Sequence, residues 1–192
     1  MNDLLFIRHA ETDMAGTFCG HSDPALNDDG FRQVERLLHS LRSERIDAVY
    51  SSDLQRCHTT ARALAETHAV PCFTSRGLRE IHFGLWEGLT WQQIETLDSN
   101  YAARWVNEFP QLSAPQGESI ESFERRVCAE TENLLHRLNS GLLAVVTHAG
   151  VIRSVLRLLC GVDGTDSWAR SIPYCSTLRY FQSSRSFQEV LL

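Results

Sequence analysis

Two histidines stand at the ends of apolar runs: Arg8-His9 follows Leu4-Leu5-Phe6-Ile7, and Thr147-His148 follows Leu142-Leu143-Ala144-Val145-Val146. Imidazole changes charge near neutral pH, so such residues can act as nucleophile, acid or base. Guanidinium presents a planar fork of donors that matches phosphate oxygens better than the point charge of lysine. Arg8 accompanies the first histidine, and Arg56 lies early in a helical segment, where free backbone N–H groups favour an anion. Two guanidiniums and two imidazoles facing one point would form a receptor for a tetrahedral dianion. On residue types and spacing alone, these groups define an anion site and no more.

The elements that must position them follow from periodicity. Asp3 to Arg8 and Leu142 to Thr147 are continuous apolar runs of strand length, the pattern of buried parallel strands. A third strand is expected at Asp47 to Ser51, followed by a helix from about Asp53 to His68 that Pro71 prevents from extending. Glu11 to Asn27, with Gly16, Gly20 and Pro24, is a loop, and Asn27 caps a helix expected to turn Phe31, Val34, Leu37, Leu38 and Leu41 inward. Residues 72–90 read as short extended pieces and turns, and Trp91 to Glu108 as short helices. Ser119 caps a longer helix with Ile120, Phe123, Val127, Leu134 and Leu138 inward. Val151 to Leu159 is a helix ending near Gly161, and the tail, Ser176–Phe181 and Phe187–Leu192, is a pair of strands. Alternating strands and helices imply one three-layer α/β/α domain over residues 1–192, with a mainly parallel, mixed central sheet and a small cap-like insertion at about 90–117. In such sheets ligands bind beyond the carboxyl ends of the strands, where Arg8-His9 and Thr147-His148 emerge.

Composition narrows the partners. The 192 residues carry a net charge of −6, which argues against nucleic acid or an anionic membrane, since both reward a basic surface. Positive charge for an anion must therefore be gathered locally. The six cysteines are scattered with no C-x-x-C pair, and the N-terminus lacks the pattern of a signal peptide, so reduced thiols and a cytoplasmic location are expected. The most apolar segment, Leu142 to Val162, contains His148, Arg153 and Arg157 and is a poor membrane span. His21, His39, His58, His68 and His136 show no metal-ligand spacing, so no metal is expected.

Longer motifs extend the reading. Leu5-Phe6-Ile7-Arg8-His9-Ala10-Glu11-Thr12 resembles the R-H-G-E-T signature of the histidine phosphatase superfamily, the phosphoglycerate-mutase-like proteins. Gly20 to Gly30 resembles that family's loop into its first helix, and Tyr50 to Ala61 its S-x-L-x-R-x-x-x-T-A segment. Leu78 to Gly88 resembles L-x-E-x-x-F-G-x-W-E-G, Pro115 to Ser119 matches P-x-G-E-S, and Val146 to Gly150 matches the second-histidine motif. These segments occur in the family's order across residues 4–153.

The resemblance implies a phosphoglycerate-mutase-like fold and phosphoryl transfer without a cofactor. By position, His9 would be the nucleophile, while Arg8, Arg56 and His148 would bind the phosphoryl oxygens together with it. Glu80 would be the acid that protonates the leaving oxygen and then the base that activates water; the motif register selects it over His82 and Glu87. Glu11 would support the loop. Glu118-Ser119 reads as a helix cap, with a supporting contact implied by its family position. The implied partner is a small phosphorylated metabolite. Cys19, Gly20, Trp91 and Trp105 are the candidate substrate pocket, the cap aromatics Trp91, Tyr101, Trp105 and Phe109 being able to stack on a base or to hold the cap together.

Several residues depart from the family pattern. Ala10 and Ala149 replace frequent glycines, and Ala15 stands where mutases commonly have asparagine. The segment from Trp91 to Gln116 is short, with Arg104 its only basic residue, whereas mutases have a longer basic insertion. Phosphatase is therefore favoured over mutase. The run Val146 to Arg153 is most similar to the α-ribazole phosphatase branch, which removes the 5′-phosphate of α-ribazole phosphate in cobalamin biosynthesis. A broad-specificity or sugar-phosphate phosphatase, fructose-2,6-bisphosphatase-like, is the alternative. A catalytically silent phospho-ligand module would be marked by loss of His9, Glu80 or His148, and all three are present.

Overall fold

A computed structural model describes residues 2–137 and 141–190. Strand β1 (Asn2–Arg8) shows how its sequence builds the layers. Successive strand side chains point to opposite faces, so Leu4 and Phe6 enter one apolar cluster while Leu5 and Ile7 enter another on the far side. Strand β4 (Gly141–Thr147) divides in the same way, with Leu143 and Val145 on the first face and Leu142, Ala144 and Val146 on the second. Helices α1 (Asp28–Leu41) and α2 (Gln55–His68) cover the second face through Val34, Leu37, Leu41, Ala61 and Leu64. The first face is covered by α5 (Ile120–Leu135) and α6 (Ala149–Cys160), through Phe123, Val127, Ile152 and Val155.

The six strands lie in the order β3-β2-β4-β1-β5-β6, with β2 at Ala48–Ser52, β3 at Cys72–Ser75, β5 at Thr177–Phe181 and β6 at Ser186–Val190. The first four are parallel, β5 runs antiparallel to β1, and β6 antiparallel to β5. The α/β class and the mixed, mainly parallel sheet are as expected. Helices α3 (Trp91–Leu97) and α4 (Ser99–Asn107) occupy the short segment after β3 and enclose a separate cluster around Trp86, Ile94, Ala102 and Ala114. No helix among the described residues is long and apolar enough to cross a membrane.

Four details differ from the sequence expectation or fall outside it. Phe31 is 52% exposed. Gly30 takes the inward position instead, because its backbone lies so close to Glu11 that an added Cβ would fall 2.3 Å from the Glu11 carbonyl oxygen. Helix α2 starts at Gln55 and not at Asp53, whose carboxylate is engaged in a bidentate pair with Arg79 (2.6 Å and 2.6 Å). Helix α7 (Gly164–Ser171), capped by Asp163, was not anticipated and packs on α6. Leu138 lies outside the described residues. The register of α1 yields a test by chemical denaturation. Leu37→Ala is expected to cost about 2–5 kcal/mol and Phe31→Ala no more than about 0.5 kcal/mol; equal losses would refute this packing.

Candidate active site

Parallel pairing of β1 and β4 brings the two histidine motifs together. Arg8 is the register partner of Thr147, and the pairing continues as the His9 N–H donates to the Thr147 carbonyl (2.9 Å). The next residues, His9 and His148, meet edge to face with ring centroids 5.2 Å apart. Around them a cleft of about 410 Å³ opens at the carboxyl end of the sheet, with Arg8, His9, Arg56 and Glu80 among its lining residues.

The protonation of His9 follows from its contacts. Nδ1 lies 2.7 Å from the Ala10 carbonyl oxygen, which can only accept, so Nδ1 carries the hydrogen and Nε2 is bare. Arg56 Nε donates to that bare nitrogen (3.3 Å). Burial, then the charges of Arg56 and Arg8, hold the pKa of His9 well below its ordinary 6.5, so the ring is neutral at neutral pH. His9 therefore presents an unprotonated Nε2 in the lining of the cleft, its lone pair held by Arg56 until that donor is drawn elsewhere.

Arg56 is 1% exposed. Its Nη1 donates to the Ser22 carbonyl (2.6 Å) and its Nη2 to the Gly20 carbonyl (2.8 Å), which folds the 19–22 loop over the site. Nη2 also lies 3.2 Å from His148 Nδ1, which must therefore accept, leaving His148 Nε2 to donate to Ser52 Oγ (3.0 Å). His148 was expected to face the ligand. In the structure its side chain is fully buried, in contact with Arg56, Ser52 and Cys57 and beside the His9 ring, and it is not among the residues that line the cleft. Its pKa is also held well below 6.5, first by burial and then by Arg56.

Glu80 lines the cleft, whereas His82 and Glu87 do not. The Glu87 carboxylate is committed to the His21 N–H (2.7 Å), Ser22 hydroxyl (3.1 Å) and Phe83 N–H (3.2 Å). Glu80 Oε1 accepts from Ile81 N–H (2.9 Å) and Oε2 from Gly150 N–H (3.0 Å) at the start of α6. Its carbonyl is held by His21 Nε2 (2.9 Å) and Arg126 (3.3 Å), and Arg126 in turn is gripped by Glu118 (2.7 Å and 3.1 Å). Glu118 thus supports the acid's backbone, while Ser119 caps α5. Glu11 accepts from Asn27 and Gln33 and steadies the first loop.

The candidate substrate residues divide. Cys19 and Gly20 line the cleft; Trp91 and Trp105 do not. Both indoles pack on Trp86, at centroid distances of 6.4 Å and 5.2 Å, and Phe18 completes the cluster. The short segment carrying α3 and α4 is remote from the main core and uses these rings as its own interior. Tyr101 and Phe109 are likewise absent from the cleft. The aromatic wall comes instead from Phe83, Trp168 and Tyr174, with Thr12, Met14, Arg153 and Ile172 also lining it. Arg8 stacks over Tyr174 (4.0 Å) and Arg153 over Trp168 (3.8 Å). Arg153 was legible in principle, since it lies four residues after Ala149 on the same helical face. Trp168 and Tyr174 had no local signal, because only the packing of α7 on α6 brings them in. Among the described residues no group of three or more His, Cys, Asp or Glu could hold a metal ion.

Residues 4–191 match the model of the histidine phosphatase superfamily, branch 1. The chain belongs to this superfamily. It is 30% identical over 171 residues to phosphoserine phosphatase 1 of Hydrogenobacter thermophilus, covering 88% of this chain and 81% of that protein. It is equally 30% identical to an adenosylcobalamin/α-ribazole phosphatase of Salmonella typhimurium, covering 86% of this chain and 83% of the relative. In structure it superposes on the α-ribazole phosphatase of Shigella flexneri with a TM-score of 0.86 at 25% identity, over 99% and 95% of the two chains. This histidine phosphatase is therefore an enzyme of phosphorylated small molecules, and its named relatives divide between phosphoserine and α-ribazole phosphatases.

Two tests follow from this geometry. An added Cβ at Gly150 would fall 2.1 Å from Glu80 Oε1, so Gly150→Ala must displace the carboxylate. A role for Glu80 as general acid predicts a fall in kcat/KM of roughly 100-fold, with folding retained by circular dichroism; unaltered turnover would remove Glu80 from the chemistry. The second concerns pH. His9 and His148 titrate lower in the folded than in the unfolded chain, so the unfolded state binds more protons between the two values. Their contribution to stability is full above about pH 6.5 and falls as pH drops below it, by up to about 1.4 kcal/mol per pH unit for each ring. Urea unfolding between pH 7.5 and 5.5 should show this loss, with a shallower slope in His9→Gln.

Proposed function

We propose that this chain hydrolyses small phosphomonoesters through a phosphohistidine on His9. The observation that carries the proposal is the fixed tautomer of His9, whose unprotonated Nε2 accepts, among the described residues, only from Arg56, a donor that an arriving phosphoryl group can draw away to free the lone pair. In the first step Nε2 attacks phosphorus in line as the ester P–O bond breaks, and Glu80, protonated, gives its proton to the leaving oxygen. In the second step Glu80, now a carboxylate, takes a proton from water, whose oxygen attacks phosphorus as the P–N bond breaks. Inorganic phosphate leaves and the neutral ring is restored. Negative charge on the phosphoryl oxygens is met by the guanidiniums of Arg8 and Arg56, with His148 bracing Arg56 from behind. Positioning and electrostatics of this kind supply most of the catalysis in phosphoryl transfer. With two guanidiniums in that role, the reaction requires no metal ion.

Two substrates head the list to be tried. α-Ribazole 5′-phosphate suits the aromatic wall of Phe83, Trp168 and Tyr174, and the cleft volume of about 410 Å³ is within the range of small-molecule sites. Phosphoserine, the substrate class in the name of a relative at the same identity, suits the additional cation Arg153. The mechanism is tested by incubating the protein with a phosphorus-labelled phosphomonoester in EDTA, quenching rapidly and measuring acid-labile label. Wild type should retain label on His9 and His9→Ala should retain none. Equal labelling of the two, or activity abolished by EDTA, would refute this reading.

A further inference from the structure

Arg153 lines the cleft yet takes no part in the steps above. Its Nε is buried without a hydrogen-bond partner, and among the described residues the guanidinium makes no hydrogen bond or ion pair. The contrast with other partly buried arginines is clear. Arg79 pairs with Asp53, Arg126 with Glu118, Arg170 with Asp166 and Glu189, and Arg179 with Asp3 and Glu44. Arg56 spends its donors on two carbonyls and two imidazoles. Arg8 also has an unpaired buried Nε, which the transferred phosphoryl group explains. Nothing in the reaction explains Arg153.

A guanidinium partly withdrawn from water without an anion is left undercompensated. Burial does lower the pKa of Arg153, and the opposing influence comes from Glu80. The residue is also held in place. Its guanidinium lies 3.8 Å from the ring centroid of Trp168, and that stacking orients the plane of the fork. Gly150 N–H holds the Glu80 carboxylate and Arg153 lies three residues on along the same helix, beside Trp168, so the guanidinium stands near the group assigned above to protonate the leaving oxygen.

Resting on the phosphatase reading, we propose that Arg153 determines specificity by binding an anionic substituent on the leaving group of the phosphomonoester, a carboxylate or a second phosphate. The fork then gains the partner it lacks, and an ester carrying such a group is bound at both ends, by Arg8 and Arg56 at the reacting phosphoryl and by Arg153 at the other. The nucleoside of α-ribazole phosphate carries no such anion, so Arg153 ranks acid-bearing esters above it.

Matched esters that differ in the anion provide the test: 3-phosphoglycerate against glycerol 3-phosphate, phosphoserine against phosphoethanolamine, and fructose 1,6-bisphosphate against fructose 6-phosphate. Wild type should prefer the anionic member of at least one pair in kcat/KM. In Arg153→Met that preference ratio should fall by roughly 10- to 100-fold, the scale of one charge-assisted contact, and Arg153→Lys should restore part of it. The carboxylate pairs and the bisphosphate pair distinguish the two kinds of anion. The proposal is overturned if wild type shows no preference within any pair, or if Arg153→Met slows both members of every pair equally, which would make Arg153 an accessory of Glu80 or of the phosphoryl clamp. If the methionine variant does not fold, the same ratio is read in Arg153→Lys and Trp168→Leu, each expected to lower it. Failure of wild type to hydrolyse any of the esters would instead overturn the phosphatase reading itself.

Discussion

Arg56 is a charge that water scarcely reaches, and the architecture of the site is organised around it. Its donors are met by the Gly20 and Ser22 carbonyls and by one nitrogen from each of His9 and His148. All four acceptors are neutral, so four of the five N–H groups are satisfied while, among the described residues, no carboxylate pairs with the charge. A buried group in that state is costly unless an anion arrives. Burial first, and then the same cation, hold both imidazoles unprotonated, the form in which a histidine nitrogen can act as a nucleophile.

That arrangement depends on parallel strand pairing. The register of β1 on β4 sets Arg8 beside Thr147, so the two histidines leave the sheet at the same level. Apolar side chains on both faces of both strands hold the register, because a slip of one residue would exchange the clusters that each strand feeds. Glu80 is placed by a separate set of polar contacts. Asp53 anchors Arg79, Arg126 collects the carbonyls of Gly77, Arg79 and Glu80, and Gly150 leaves space for the carboxylate at the start of α6. His9 thus rests on the core and Glu80 on a charged scaffold at its edge.

The wall opposite the loop is built differently. Arg8 lies over Tyr174 and Arg153 over Trp168, so each cation is positioned by an aromatic face and keeps its fork free. Aromatic stacking orients a guanidinium without consuming its donors, whereas a carboxylate partner would consume them. The α3–α4 segment contributes no side chain to this wall. Its indoles are spent on making a small segment cohere.

Much of this protein was legible in its residues. Continuous apolar runs specify β1 and β4 because a strand buried on both faces admits no polar alternation, and Asn27 and Ser119 mark helix starts because their side chains satisfy free N–H groups. Arg8, His9, Arg56 and Glu80 were recognisable from ordered motifs, each within a few residues of an element's end, where local sequence dictates position. Other features depend on contacts between distant segments. Phe31 turned outward because Gly30 had to approach Glu11, and the partners of His148, Ser52 and Arg56, come from segments some ninety residues away in the chain. Trp91 and Trp105, candidates for the substrate pocket or for holding the cap together, pack in their own cluster. Local sequence determined which groups could carry the chemistry, since backbone periodicity and capping act over a few residues. Which of them face the cleft, and that Arg153, Trp168 and Tyr174 join them, was decided only by tertiary packing, because burial and pairing are settled among residues far apart in the chain.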